Sequence, residues 1–436
     1  MTGPMAEAHS PDHLRLDATV ARLKQQGQAG IDLSLDRLRR ALEGLGAPQT
    51  RLPPVIHVAG TNGKGSVCAF LRAGLEAMGL TVHAYTSPHL LSFTERFRVA
   101  GDLIAPDRLA DLLESLSEPA GTLALPPLSF FERSTAAAFV AFSSISADVT
   151  LLEVGMGGRD DATNVIPDPA VSVITPVGLD HCGFLGPDLA SIARTKAGIL
   201  RAAVPAMIGP QAPEALAVIE QEAESLGAPL RSFAEIEAAW QDVGAPVSLR
   251  LIGPHQQANA ALAWSALKAF CARTGRSEPD PGVAQTMVAT IDWPGRLQQV
   301  DVGLWVDGGH NAHAAQAMVE ALKAEGFPFV DAVIGMLDSK DRGEFLRALG
   351  PSLRHVVCVP LAEGSFDGTG QGVPPDRLAE DARLAGVEAV SVASSVGQAL
   401  DRLRGQARSG GHSPILITGS LILAAEVLRQ FNTGGR

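Results

Sequence analysis

At 436 residues the chain is too long for one ordinary hydrophobic core, and a typical domain size of about 150 residues predicts two or three units, of which we expect two. Its 46% hydrophobic and 19% charged residues are those of a packed globular protein and exclude a largely disordered one. A net charge of −12 argues against a nucleic-acid surface, which needs clustered cations to neutralise phosphates.

The basic residues are lopsided: only six are lysines, Lys24, Lys64, Lys196, Lys268, Lys323 and Lys340. The four cysteines, Cys68, Cys182, Cys271 and Cys358, are too scattered for a disulfide scaffold or a paired metal motif, which fits a reducing compartment. The start, MTGPMAEAHSPDH, lacks a basic segment followed by an apolar core. The longest apolar run, Ala136 to Phe142, is far short of the about 20 residues that a membrane helix needs. A cytoplasmic monomer without membrane or nucleic-acid partners is expected.

From about residue 54, short β-rich apolar runs alternate with helical patterns, as in α/β units around a mainly parallel sheet. Strands are expected at 54–59, 81–85, 148–154, 170–175 and 204–208, a Gly/Pro loop at 120–128, and surface helix over the acidic, Ala-rich stretch 211–243. The helical pattern before Gly275 is followed by SEPDPG, and after Trp293-Pro294-Gly295-Arg296 a second series of strands begins. These are expected at 302–306, 329–335, 355–359, 388–392 and 414–418, and place a domain boundary near residue 292. The expected fold class is α/β: a P-loop-type, mainly parallel N-terminal domain over 1–292 and a smaller Rossmann-like domain over 293–436.

The strand VIHVA runs into Gly60-Thr61-Asn62-Gly63-Lys64-Gly65-Ser66 and then a helix. Glycines let backbone N–H groups curl around an anion, the helix N-terminus adds its positive dipole, and Lys64 reaches terminal phosphates. Val58 stands where the eight-residue P-loop has its first glycine, so this is a shorter variant. With Ser66 as a phosphate or metal ligand, a nucleoside triphosphate is the expected guest. Ser87, Glu153 and His181 fall at the carboxyl ends of succeeding strands, where an open α/β sheet gathers its ligand crevice. Their donor atoms suit a Mg²⁺ shared with nucleotide phosphates. Taken singly, each has a plain structural alternative: a turn cap, a partner for Arg159, a loop histidine.

The ordered series GTNGKGS, TSPHL, FFERST, LEVGMGGRDDATN, LDHCGFLG, KAGI, GPHQQANA, PGR, DGGHNAHA and ITGS closely resembles the folylpolyglutamate synthase and dihydrofolate synthase branch of the Mur ligase superfamily, from about Ile31 to Ser420. The resemblance implies an ATP-dependent ligase that joins L-glutamate to a pterin carboxylate through an acyl phosphate. The carboxylate would belong to dihydropteroate, to tetrahydrofolate, or to both. A monofunctional folylpolyglutamate synthase is the alternative, and a UDP-sugar ligase of the Mur type a more distant one, since such ligases carry a further N-terminal domain. Thr61, Asn62, Gly63 and Lys64 would hold ATP phosphates, and Ser87, Glu153 and His181 would bind Mg²⁺. Lys196 matches the lysine that in this family is carbamylated and helps bind a second Mg²⁺, although Thr195 stands where the motif's usual acid would be.

By the same resemblance, Asn259, Arg296 and Asp307 contact ATP, and His310 lies near the point of phosphate and acyl transfer. Arg296, Asp307 and His310 are expected where the domains meet. Asp32, Leu33 and Ser34 match a segment that contacts dihydropteroate. Phe130, Phe131 and Glu132 are expected as an aromatic wall with a carboxylate for the pterin amino group, followed by Asp160, Asp161 and Ala162 on an Ω-like loop. Ser420 and His310 are candidates for the glutamate end. Gly309 and Ala312 depart from the usual residues around the motif histidine and asparagine, and Asp160 replaces a usual Leu, which bears on loop stiffness and substrate fit.

Overall fold

The computed structural model describes residues 10–26, 34–116, 127–243, 249–362, 370–407 and 413–432. The chain divides into two compact units, one of Met1–Ser248 with Ala258–Ile291 and one of Leu249–Gln257 with Asp292–Arg436. Leu249–Gln257 thus packs with the second unit rather than with the residues around it in sequence. Ile252 supplies the reason, because it lies against that unit's apolar core.

Two helices, α1 (Pro11–Gln26) and α2 (Asp36–Gly44), precede the first strand, β1 (Val55–Ala59). Then come α3 (Lys64–Ala77), β2 (Val82–Tyr85), β3 (Phe97–Val99), β4 (Asp102–Leu103), α4 (Pro106–Ser115), α5 (Phe130–Ser144), β5 (Val149–Glu153) and β6 (Val171–Ile174). The short helix α6 (Cys182–Leu185), α7 (Leu189–Ala197), β7 (Ala206–Ile208), α8 (Pro213–Leu226), β8 (Leu230–Arg231), α9 (Phe233–Gln241), α10 (Pro254–Arg273) and α11 (Pro281–Thr290) follow. The strands form an eight-stranded sheet in the order β4-β3-β2-β5-β1-β6-β7-β8, parallel from β2 to β8. The β2–β3 and β3–β4 pairings are antiparallel, so β3 alone runs against the other strands. All five β1 residues and all five β5 residues are buried, as helices on both faces of a parallel sheet require.

The short strands β3, β4 and β8 were not legible in the sequence. Each has two or three residues and is held by its neighbour in the sheet rather than by a pattern of its own. The stretch 211–243 resolves into α8 and α9 with β8 between them. Of the Gly/Pro loop at 120–128, all but the last two residues lie outside the described residues.

The second unit carries β9 (Gln298–Asp301), β10 (Leu304–Val306), α12 (Ala312–Ala324), β11 (Val330–Ile334), α13 (Arg342–Leu349), β12 (Leu353–Cys358), α14 (Pro375–Leu384), β13 (Ala389–Val392), α15 (Val396–Ala407), β14 (Ile415–Thr418) and α16 (Leu421–Asn432). Its six strands run β13-β12-β11-β14-β10-β9, parallel except for β9. Strand β9 reads polar because it is an edge, with Gln299 and Asp301 exposed. Among the described residues, no helix is long and apolar enough to cross a membrane.

Candidate functional site

In the first sheet β1 lies between β5 and β6, so the loops leaving their carboxyl ends share one crevice. The chain leaves β1 at Gly60, where a Cβ would fall 1.8 Å from Thr175 Oγ1, so only glycine lets the loop pass this close to β6. The Thr61 N–H donates to the carbonyl of Pro176 at 2.9 Å, and Thr175 Oγ1 donates to the Asn62 carbonyl at 2.7 Å, which pins the loop's outer turn. Gly63 then caps α3 with a left-handed φ of 88°. Its missing Cβ leaves room for Asn259, whose Oδ1 would lie 2.7 Å from it. Asn259 therefore sits against the loop.

The Val67 N–H makes the first intrahelical bond of α3, to Gly63, at 2.9 Å. The N–H groups of Lys64, Gly65 and Ser66 precede it and have no carbonyl within the helix to reach, which is the general condition for an anion site at a helix start. Lys64 Nζ donates to the carbonyls of Gly60 at 3.1 Å and Thr61 at 3.2 Å. From the far side of the crevice Lys196, at the end of α7, donates its Nζ to the same Gly60 carbonyl at 2.8 Å. Two amines thus converge on one oxygen. Burial, reinforced by the charge of Lys64, pushes the Lys196 amine down to about 7. A cavity of about 30 Å³ opens here, lined by Thr61, Lys64, Gly157, Asp180, His181 and Lys196 among others.

Ser87 follows β2 and Glu153 ends β5; the Ser87 N–H donates to Glu153 Oε2 at 3.0 Å, bringing the two together. His181 adopts a left-handed backbone at φ 54°, its ring half-exposed at the cavity and its Nε2 3.9 Å from Asp180 Oδ1. A hydroxyl, a carboxylate and an imidazole form an oxygen-rich donor set that fits a hard divalent ion completed by phosphate oxygens and water. Among the described residues no three His, Cys, Asp or Glu side chains could hold a metal by themselves. The fit therefore depends on the Ser87 hydroxyl as well as on the carboxylate and the imidazole.

The expected pterin wall is arranged differently. Glu132 does not point an open carboxylate at a ligand: Arg37 grips it with two nitrogens at 2.7 to 3.1 Å, and it accepts the Ser129 N–H at 2.7 Å in a capping box that starts α5. Phe131 packs half-buried against Tyr85, with ring centroids 6.1 Å apart, and Phe130 carries Lys24 over its face at 5.4 Å. Asp160 is exposed, whereas Asp161 and Ala162 are buried. Asp161 holds its own loop, accepting from the Met156 and Thr163 N–H groups at 2.9 Å each. Ser34 is exposed and its hydroxyl accepts the Asp36 N–H at 3.3 Å. Asp32 and Leu33 lie outside the described residues.

In the second unit Asp307 follows β10 and is buried. Its Oδ2 accepts the Leu297 N–H at 2.8 Å and its Oδ1 the Gly309 N–H at 2.6 Å. His310 Nδ1 lies 3.1 Å from the Gly308 carbonyl, and the Arg296 guanidinium reaches back to the Gly295 carbonyl at 3.4 Å. Ser420 Oγ accepts the Ile422 N–H at 3.1 Å, starting α16, beside the Gly419 N–H that donates to the Gly309 carbonyl at 3.1 Å. The four candidates Arg296, Asp307, His310 and Ser420 thus gather at the carboxyl ends of β10 and β14. His255 joins this group electrostatically: burial lowers its pKa, with Asp307 opposing and Arg296 reinforcing the shift.

Sequence reasoning did not single out Asp180, His57 or Thr163. Asp180 stood in the same LDH triplet as His181, whereas His57 and Thr163 are an ordinary strand residue and an ordinary loop residue until the fold brings them together.

Residues 295–421 match the family described as Mur ligase, glutamate ligase domain. The chain is 34% identical to the dihydrofolate synthase/folylpolyglutamate synthase of Mycobacterium tuberculosis, over 97% of this chain and 95% of that one. It is 36% identical to the enzyme of the same name from Escherichia coli, over 82% and 87%. Among solved structures, the Mycobacterium tuberculosis folylpolyglutamate synthase complexed with ADP superposes with a TM-score of 0.84 at 31% identity, over 98% and 99% of the two chains. The bifunctional Yersinia pestis enzyme complexed with AMPPNP and a Mn ion gives 0.79 at 32% identity, over 97% and 98%. The chain belongs to the dihydrofolate synthase/folylpolyglutamate synthase family of Mur ligases, ATP-dependent enzymes that ligate L-glutamate to a pterin-linked carboxylate.

Proposed function

We propose that the γ-phosphate of ATP passes to the pterin-linked carboxylate in the cavity above the Gly60–Ser66 loop, and that the amine of L-glutamate then displaces phosphate from the acyl phosphate. The observation that carries this reading is the convergence of the Lys64 and Lys196 amines on the Gly60 carbonyl, at the N-terminus of α3. Two anions must approach here, and the helix N–H groups with the Lys64 ammonium offset their repulsion without reorganising at the moment of transfer. Asn259 closes the loop over Gly63. Arg296 and Asp307 are assigned to the nucleotide, and His310 and Ser420 to the transfer point and the glutamate end. An arginine fork suits phosphate oxygens in a way that a lysine cannot copy.

Ser87, Glu153 and His181 would hold one Mg²⁺, and Lys196, as a carbamate, would help hold a second; bound there, the ions neutralise charge developing on the phosphates. An amine with a pKa of about 7 is roughly half neutral at neutral pH, whereas an ordinary lysine is almost wholly charged. Only the neutral amine adds CO₂. Intact-protein mass spectrometry should therefore show one added CO₂ on Lys196, lost on stripping bicarbonate. An unmodified Lys196 under both conditions refutes the carbamate.

The acceptor is dihydropteroate, a tetrahydrofolate, or both. Phosphate release with ATP, L-glutamate and each acceptor in turn separates these, and a UDP-muramyl acceptor serves as the outside control. Release with both pterins makes the enzyme bifunctional. Lys64→Ala is expected to lower kcat by roughly 10²–10³ with the fold intact by circular dichroism; wild-type turnover would remove the loop from the chemistry.

A further inference from the structure

Three side chains behind the cavity take no part in the chemistry above, yet they form one hydrogen-bonded line. His57 lies in the middle of β1 and is fully buried. Its Nε2 is 2.8 Å from Thr163 Oγ1, which in turn is 2.6 Å from Asp161 Oδ1. Asp161 Oδ1 also accepts the Thr163 N–H, its Oδ2 accepts the Met156 N–H, and the Gly155 N–H reaches the same carboxylate. Gly155 and Met156 line the cavity together with Lys64 and Lys196. On its other side Gly155 abuts Phe131, whose Cζ would be 2.3 Å from any Cβ placed there.

Counting protons orders this line. A threonine hydroxyl has one hydrogen. Burial raises the Asp161 pKa, but the N–H groups of Met156, Thr163 and Gly155 and the Thr163 hydroxyl oppose that shift and favour the ionised form, and an ionised carboxylate only accepts. The Thr163 hydroxyl must therefore donate to Asp161, and the hydrogen between His57 and Thr163 must sit on Nε2. That leaves Nδ1 as a bare lone pair, and Nδ1 is a buried atom with no hydrogen-bond partner. The reverse order would put a hydrogen on Nδ1 with no acceptor and a proton on a carboxylate that faces three N–H donors. An orphaned buried N–H costs more than an idle lone pair, so the first order wins. Burial also keeps the ring neutral, its pKa pushed down to about 3.

We propose that His57 is a positioning residue: through Thr163 and Asp161 it fixes the Gly155–Met156 backbone between the phosphate cavity and Phe131, and so sets where the acceptor carboxylate meets the γ-phosphate. This rests on the assignment of the cavity to phosphoryl transfer. Its structural half, the proton order, stands apart from activity.

The test pairs kinetics with nitrogen NMR. Thr163→Val keeps the side-chain shape and removes the hydroxyl; kcat is expected to fall about tenfold or more, while the Kd for ATP measured without acceptor stays nearly unchanged. Thr163→Ser should restore most of the loss. His57→Gln, which keeps an N–H near the Nε2 position, should outperform His57→Leu. In the wild-type protein the His57 signals should show a protonated Nε2 and an unprotonated Nδ1. A protonated Nδ1 overturns the proposal, as does Thr163→Val with wild-type kcat or with kcat and ATP affinity falling together. Should Thr163→Val fail to fold, the serine variant and the tautomer decide. A wild-type chain that binds ATP but ligates no pterin would instead overturn the site assignment, with the tautomer still reading the relay.

Discussion

Each unit holds a turn at its site with one buried aspartate, Asp161 in the first and Asp307 in the second. Asp307 ties two segments, accepting from Leu297 at the entry to β9 and from Gly309 just beyond β10. Asp161 closes a single loop on itself, and its carboxylate also takes the Thr163 hydroxyl that His57 orders from the neighbouring strand β1. The difference is depth of support: the first loop is referred to the centre of a sheet, the second to the edge strand β9. A loop that must place backbone atoms against a reacting phosphate gains from the first arrangement, because a small misplacement there is amplified in rate.

The largest expected effect separates the two through pH. His57 stays neutral in the folded chain down to about pH 3, whereas the unfolded chain protonates it near 6.5. Protons bound only by the unfolded state weaken the fold as pH falls from 6.5 toward 3, by on the order of 4–5 kcal/mol in total. Denaturant unfolding across that range should show a shallower acid loss in His57→Gln than in wild type. Equal slopes would mean that β1 does not keep the imidazole dry, and the comparison would lose its basis.

Next come the aspartates themselves. Asp161→Ala strands the N–H groups of Gly155, Met156 and Thr163 together with a hydroxyl, and should cost about 4 kcal/mol in chemical denaturation. Asp307→Ala strands two N–H groups and should cost about 2–3 kcal/mol. Costs in the opposite order would invert the account of depth. The smallest effect concerns Glu132: Glu132→Gln weakens a buried bidentate pair with Arg37 and should cost roughly 1–2 kcal/mol of stability. It should leave the KM for the pterin substrate unchanged, and a large rise in that KM would return Glu132 to the substrate.

Much of the loop after β1 could be read in advance, because its parts are contiguous. Gly60 to Ser66 is one loop, and Gly60, Gly63 and Lys64 have few structural reasons to occur in that order after a buried strand. The pairing of Glu132 was hidden because a carboxylate beside two aromatic residues looks the same in sequence whether it faces a ligand or an arginine; Arg37, its partner, lies on another helix. The part Asp161 plays in holding its own loop was hidden likewise, since the N–H groups it accepts from belong to a loop whose curl the sequence does not display. The place of Leu249–Gln257 in the second unit also escaped the sequence, because Ile252 is apolar enough for either core.

By itself the sequence determined the alternation of strands and helices, the two series of strands and the strand–loop–helix passage through Gly60–Ser66. All three follow from local rules of periodicity, turn residues and charge. Tertiary structure alone decided which amines share the Gly60 carbonyl, which carboxylates are already engaged, and that His57 is joined to Thr163 across 106 positions of chain. Those facts depend on strand order and on exclusion of water, and neither is a property of any short stretch of residues: a buried polar group takes whatever partner the fold brings within reach, since going without one costs more.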